Sequence, residues 1–276
     1  MGFQSSRART ALGMICIILA ALRFSELSWL LPILAWLIAL GGIHEMHGLA
    51  RQRQIEFSAP VAYVSVSALV ASGLVAFEAF PWVAFAVIAA LLVCVFLEQI
   101  ALRAERGTLT NVPALFLSVL YVGLPLACAL QILRVDRFYF LFVLLGVWSL
   151  DTAAFYVGCA IGRHKMAPRL SPKKSWEGAV AGLLGCLIAS LLERAVFPID
   201  LSWTQVVELG ILFGVVGQLG DLAESALKRD AGVKDTGTIF RGHGGILDRI
   251  DSLLFCFVAF YLYLICSGTA AVRVLS

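Results

Sequence analysis

Apolar runs long enough to cross a bilayer recur along the whole of this chain, and they leave few folds open to it. A helix needs roughly 17–25 apolar residues to span the hydrocarbon, and only helices or closed barrels satisfy their backbone there. Such runs lie at about 10–24, 27–43, 60–77, 80–97, 113–133, 138–157, 176–197, 204–221 and 252–268. Hydrophobic residues make up 61% of the chain, 14% are charged, and the mean hydropathy is +0.92. A soluble domain is nearer about half apolar and a quarter charged. These features predict an all-α, polytopic integral membrane protein of about nine transmembrane helices, with residues 1–276 forming one membrane domain. The first run is short and follows Arg7 and Arg9, which would also suit a signal peptide. A second apolar run begins almost at once, and no small-residue cleavage site separates the two. The seven cysteines show no paired or CxxC spacing; most lie in apolar runs, where cysteine acts as a small hydrophobe.

The net charge of +3 says little until it is resolved loop by loop. With the N-terminus cytoplasmic, Arg23, Arg134, Arg137, Arg194 and Arg273 fall on the outer side and the other 16 of the 21 lysines and arginines on the inner. Positive charge is retained in cytoplasmic loops, so this bias fixes the orientation. The two largest inner loops, about 158–175 and 222–251, also carry the motifs, so the chemistry is expected to face the cytoplasm. A bacterial-type inner membrane is the expected location.

The two halves differ in content. Residues 1–135 read as scaffold, with short loops and few polar residues in their spans. Glu45, between His44 and His47, is the exception, and it reads as a solvated helix end at the interface. Residues 136–276 carry the information. Asp151 lies inside a long apolar segment, where a carboxylate costs a few kcal/mol unless paired or metal-bound, so it marks a functional site. Ser171-Pro172 reads as the N-cap and first turn of a new helix. Lys173 and Lys174 then oppose that helix's macrodipole unless an anion sits there. Asp221, Glu224, Ser225 and Lys228 share one helix face at i, i+3, i+4 and i+7, and Asp248, Asp251 and Ser252 repeat the stacking as the last span begins. Two helix ends bearing carboxylates can build an oxygen-ligand site for Mg²⁺. The segment between them, with Lys234-Asp235 and Gly242-His243-Gly244-Gly245, is too glycine-rich for helix and suits phosphates.

The pattern Ser225-x-Leu227-Lys228-Arg229-x4-Lys234-Asp235-x-Gly237-x2-Phe240-Arg241-x-His243-Gly244-Gly245-Ile246-x-Asp248-Arg249-Ile250-Asp251 resembles the signature of the phosphatidate cytidylyltransferases, or CDP-diacylglycerol synthases. Ser171-Pro-Lys-Lys-Ser-Trp-Glu-Gly178 and Gly220-Asp-Leu222 match that family as well. The likeness is detailed over roughly residues 145–255. Arg241, Cys159 and Ser175 depart from the family's usual Pro or Gly, Arg and Thr. The resemblance implies transfer of CMP from CTP to phosphatidate at a bilayer surface, giving CDP-diacylglycerol and pyrophosphate, with Mg²⁺, a second cation and a homodimer. It implies catalytic roles for Asp221, Asp248, Asp251 and Lys228, and metal ligation by Asp221 and Asp248, then Asp251 and Asp235. Substrate phosphates would meet Lys173, Lys174, Ser171, Lys228, Arg229, Lys234, His243 and Arg249, with Asp151 lining the cavity.

Two other readings compete. CDP-alcohol phosphotransferases also handle CDP-lipids, but their Asp-Gly-x2-Ala-Arg-x8-Gly-x3-Asp-x3-Asp pattern has no counterpart here. A transporter of phosphorylated solutes would carry charges at mid-membrane in several spans and related halves, and this chain has one such carboxylate and no internal repeat. A lipid phosphate of another kind, such as an isoprenoid glycerol ether, is the nearer alternative substrate. No P-loop is present, and no nucleic-acid partner is expected.

Overall fold

The computed structural model describes residues 27–101, 107–237 and 244–268. Among them are eight helices: α1 (Leu30–Gln52), α2 (Ala59–Ser72), α3 (Phe80–Ala101), α4 (Thr108–Val135), α5 (Arg137–Ile161), α6 (Trp176–Val196), α7 (Trp203–Asp230) and α8 (Asp251–Cys266). One short antiparallel hairpin, β1 (Lys165–Ala167) and β2 (Ser171–Ser175), joins α5 to α6. The all-α expectation therefore holds for the architecture, with this hairpin as a local addition.

Six helices are long and apolar enough to cross a membrane: α1, α3, α4, α5, α6 and α7. The runs expected at 60–77 and 252–268 form the shorter α2 and α8, of 14 and 16 residues. At a 1.5 Å rise per residue these reach only ~21 and ~24 Å, less than the ~30 Å hydrocarbon core. The run at 10–24 lies outside the described residues. α7, with 28 residues, is ~42 Å long, longer than the hydrocarbon core is thick.

Helices α1, α2 and α4 pack together, α5, α6 and α7 pack in series, and α8 joins the two groups by lying against α4, α5 and α7. Within a bilayer the apolar residues gain little from leaving lipid, so tight packing and satisfied polar groups hold helices together. Both are visible. On α6, Gly178, Gly182 and Gly185 form a stripe against α5; a Cβ on Gly178 would lie 2.8 Å from the Ala154 carbonyl. In the centre, Phe142 of α5, Phe213 of α7 and Phe260 of α8 are fully buried, with centroids 5.5–6.2 Å apart in edge-on or tilted contacts. At the far end from the hairpin, Asp136 caps α5 through the Phe138 N–H at 2.7 Å, and Ser202 and Gln205 form a capping box on α7. Outward faces remain apolar, as on α6 at Val180, Leu184, Ile188 and Leu192.

Candidate active site

The helix expected from Ser171 starts four residues later. Ser175 is its N-cap and accepts from the Gly178 N–H at 3.2 Å, while Ser171–Ser175 pairs as a strand with Lys165–Ala167. The physical reason lies in the charges. Capping at Ser171 would place two lysines in the first turn against the macrodipole, whereas capping at Ser175 places Glu177 there, the favourable sign. Pro172 is tolerated because a two-stranded hairpin has only edges. His164 fastens the hairpin to the helix: its Nδ1 lies 2.6 Å from Glu177 Oε1, and its backbone N–H donates to both Glu177 oxygens at 3.2 Å.

The hairpin closes over the ends of α5 and α7 and leaves a cavity of about 390 Å³. Asp151, Asp221, Asp248 and Asp251 line it together with Lys173 and Lys174. Three chain segments meet there: the C-terminal half of α5, the hairpin, and the α7–α8 junction. The junction is tight at Gly220, where a Cβ would lie 2.6 Å from the Asp251 carbonyl; a side chain there would push the two carboxylate-bearing helix ends apart. The Lys174 ammonium is 2.6 Å from Asp221 Oδ2, an ion contact in distance without the directional geometry of a hydrogen bond. Asp251 Oδ1 accepts from the Ser252 N–H at 2.7 Å.

Asp248 differs from the other three. Its Oδ1 accepts from the Lys228 ammonium at 2.6 Å, and its Oδ2 from Thr236 N–H, Thr236 Oγ1 and Gly245 N–H at 3.0, 2.9 and 2.7 Å. Partial burial pushes its carboxyl up, but the donors from Lys228, Gly245 and Thr236 outweigh that and hold it below the usual carboxylate range. Lys228 is shared with the buried Glu224, also at 2.6 Å. A buried cation between two carboxylates is well compensated, and losing one partner would leave an uncompensated charge.

The remaining expected residues lie elsewhere. Lys228 sits behind the cavity wall and not on it. Arg229 is exposed and bonds the Leu170 and Val233 carbonyls at 3.1 and 2.9 Å, tying α7 to the hairpin turn. Lys234 and Asp235 are exposed and off the cavity, as is the partly exposed Ser171. Arg249 lines a separate apolar cavity of about 230 Å³ between α1, α4, α5 and α8. His243 and Arg241 lie outside the described residues. Glu45 is a correction of a different kind: it is buried, 2% exposed, and not a solvated helix end.

No three of His, Cys, Asp and Glu among the described residues are gathered as a ready metal cage. That arrangement still suits Mg²⁺, which keeps several waters and is commonly held by one or two carboxylates plus substrate phosphates. Asp221 and Asp251 have carboxylate oxygens open to the cavity, with Asp151 beside them, and fit such an ion. Asp248 also lines the cavity, with Oδ1 held by Lys228 and Oδ2 facing three donors, while Asp235 lies off it.

The profile of the cytidylyltransferase family matches residues 5–267, so the chain belongs to that family. It is 34% identical over 180 residues to a phosphatidate cytidylyltransferase of Bacillus subtilis, covering 64% of this chain and 67% of that protein. It is 36% identical over 204 residues to one of Staphylococcus aureus, covering 71% and 78%. A third, from Brucella suis, is 40% identical over 147 residues, covering 52% and 54%. The aligned parts thus span from about half to about three quarters of these relatives' lengths.

Proposed function

We propose that this protein transfers the cytidylyl group of CTP to phosphatidate, giving CDP-diacylglycerol and pyrophosphate. The observation that carries the reading is the cavity where Asp151, Asp221 and Asp251 face Lys173 and Lys174 at the end of membrane-length helices. A phosphatidate phosphate oxygen bonds to the α-phosphorus of CTP, the bond from that phosphorus to the β-phosphate oxygen breaks, and its electron pair leaves with pyrophosphate. The attacking oxygen is already anionic, so the protein supplies position and charge neutralisation and no side-chain nucleophile. Lys173 is exposed at the mouth and meets incoming phosphate. Lys174, held against Asp221, presents a second cation to the triphosphate. Asp221 and Asp251 would hold a Mg²⁺ ion, which would supply charge neutralisation for the triphosphate and the departing pyrophosphate.

In this reading the cavity faces the cytoplasm, where CTP is, in a bacterial-type inner membrane. Nine spans, counting 10–24 and the shorter α2 and α8, keep the N-terminus on the same side as the loops 158–175 and 222–251. The 16-to-5 division of positive charge supports that orientation. The acyl chains stay in the bilayer, and the family resemblance favours a homodimer. The test is CTP consumption by purified protein across phosphatidate, lysophosphatidate and isoprenoid glycerol-ether phosphate. Phosphatidate should give the highest kcat/KM; turnover of another lipid phosphate with none of phosphatidate would reject the assignment.

A further inference from the structure

We infer that Glu45, on α1 and far in sequence from every residue of the cavity, is the positioning residue that fixes the α7–α8 segment for the reaction proposed above. Its two carboxylate oxygens accept three hydrogen bonds from that segment. Oε1 takes the Ile246 N–H at 2.7 Å, and Oε2 takes the Leu247 N–H at 3.0 Å and the Thr236 hydroxyl at 2.9 Å. Thr236 is the link to the cavity. Its single hydroxyl proton lies between Glu45 Oε2 and Asp248 Oδ2, each 2.9 Å away, and its own N–H donates to Asp248. Asp248 in turn holds Lys228. The chain of contacts therefore runs from Glu45 through Thr236 to Asp248 and Lys228, and through Ile246 and Leu247 to the turn that leads into Asp251.

Two glycines show how closely the segment is drawn onto this carboxylate. A Cβ on Gly237 would lie 2.8 Å from Glu45 Oε1, and one on Gly245 would overlap both Glu45 and Thr236. The glycines at 237 and 245 thus serve close approach to Glu45, which is a different demand from wrapping a phosphate. This buried carboxylate faces two backbone N–H donors and the Thr236 hydroxyl it shares with Asp248, and each comes from the segment it orders. Glu45 touches none of the cavity-lining groups except through Thr236, so it acts by placing Asp248 and the start of α8.

The test compares Glu45→Ala, Glu45→Gln and a distant control, Gln131→Leu. Gln131 is fully buried and bonds the Gly73 and Val75 carbonyls at 3.0 and 2.9 Å, well away from the cavity. Glu45→Ala should lower kcat on the order of 10²-fold, with KM for CTP and phosphatidate within about threefold of wild type, because misplacement costs the transition state more than binding. Glu45→Gln keeps one oxygen acceptor and should recover part of kcat. Hydrogen exchange at the Ile246 and Leu247 amides should speed up roughly 10-fold or more in Glu45→Ala, with core amides of α6 unchanged. Gln131→Leu should lower the thermal midpoint in detergent while leaving kcat per folded enzyme intact. Wild-type kcat in Glu45→Ala, or unchanged exchange at 246 and 247, overturns the inference. A wild-type enzyme that makes no CDP-diacylglycerol sinks the proposed activity instead, and the exchange rates then decide the positioning role alone.

Discussion

Asp221 and Asp248 line one cavity, yet their surroundings give them different work. Asp221 meets a single cation, Lys174, and keeps oxygen lone pairs for an ion. Asp221→Asn should therefore cost at least about 100-fold in activity, since even partners outside a metal's ligand set cost 10- to 100-fold, and added Mg²⁺ should not restore it. Near-normal turnover in that variant would remove Asp221 from the metal assignment. Asp248 meets donors on both oxygens, and its carboxyl is held below the ordinary range. A group depressed in this way stabilises the folded state at pH above its unfolded value of about 3.9, and the benefit fades as pH falls through the lower folded value. The gap in thermal midpoint between wild type and Asp248→Asn should be full at neutral pH and shrink only under acid conditions near and below that value. A gap already lost at mildly acid pH would contradict the placement. For the phosphate contacts, Lys173→Ala should raise KM for CTP or phosphatidate about 10-fold, as a charge-assisted hydrogen bond worth about 1.5 kcal/mol would. Unchanged kinetics would return Lys173 to a purely topological role.

Among the elements, the seam between α5 and α6 matters most, because it sets the floor beneath Asp151 and the hairpin. Gly178→Val would drive a side chain into the Ala154 carbonyl and should cost about 1–3 kcal/mol of stability, read as a lower thermal midpoint in detergent; no change would mean the two helices are looser than drawn. Much of the cavity was legible in the sequence. Asp151 stood out because a carboxylate in an apolar run has no cheap explanation, and Asp221 and Asp251 because they sit where two apolar runs meet the charged loop. Other parts were not. The hairpin is hidden in the sequence because Ser-Pro is a sound helix start taken alone; Glu177, in the right turn for Ser175, is the contrary signal. The burial of Glu45 is not legible because a carboxylate near a span's end is usually solvated, and its donors are 191 or more residues away in sequence. The separation of Arg249 from Asp248 and Asp251 needed the 3-10 turn Leu247–Arg249, which points neighbouring side chains into different cavities.

At the scale of the whole molecule, the bundle has a cavity at one end and capped helix starts at the other, so orientation in the membrane decides whether CTP can enter. Ser171 begins β2 at the cavity end, and Asp200 is an exposed residue in the α6–α7 connection at the opposite end. In a cysteine-free background, a cysteine replacing Ser171 should resist an impermeant thiol reagent in intact cells and react after permeabilisation, while one replacing Asp200 should react in both. The reverse pattern would invert the proposed topology. The central claim, that this bundle joins the α-phosphorus of CTP to a lipid phosphate, is tested most directly by following the two ends of the triphosphate with purified protein. With phosphatidate and Mg²⁺ present, label at the α-phosphorus should pass into chloroform-extractable CDP-diacylglycerol while label at the γ-phosphorus appears in pyrophosphate, in equal amounts. Omission of phosphatidate or chelation of the metal should stop both. Release of γ-label without lipid, or as inorganic phosphate with no α-label in the lipid phase, would contradict the account.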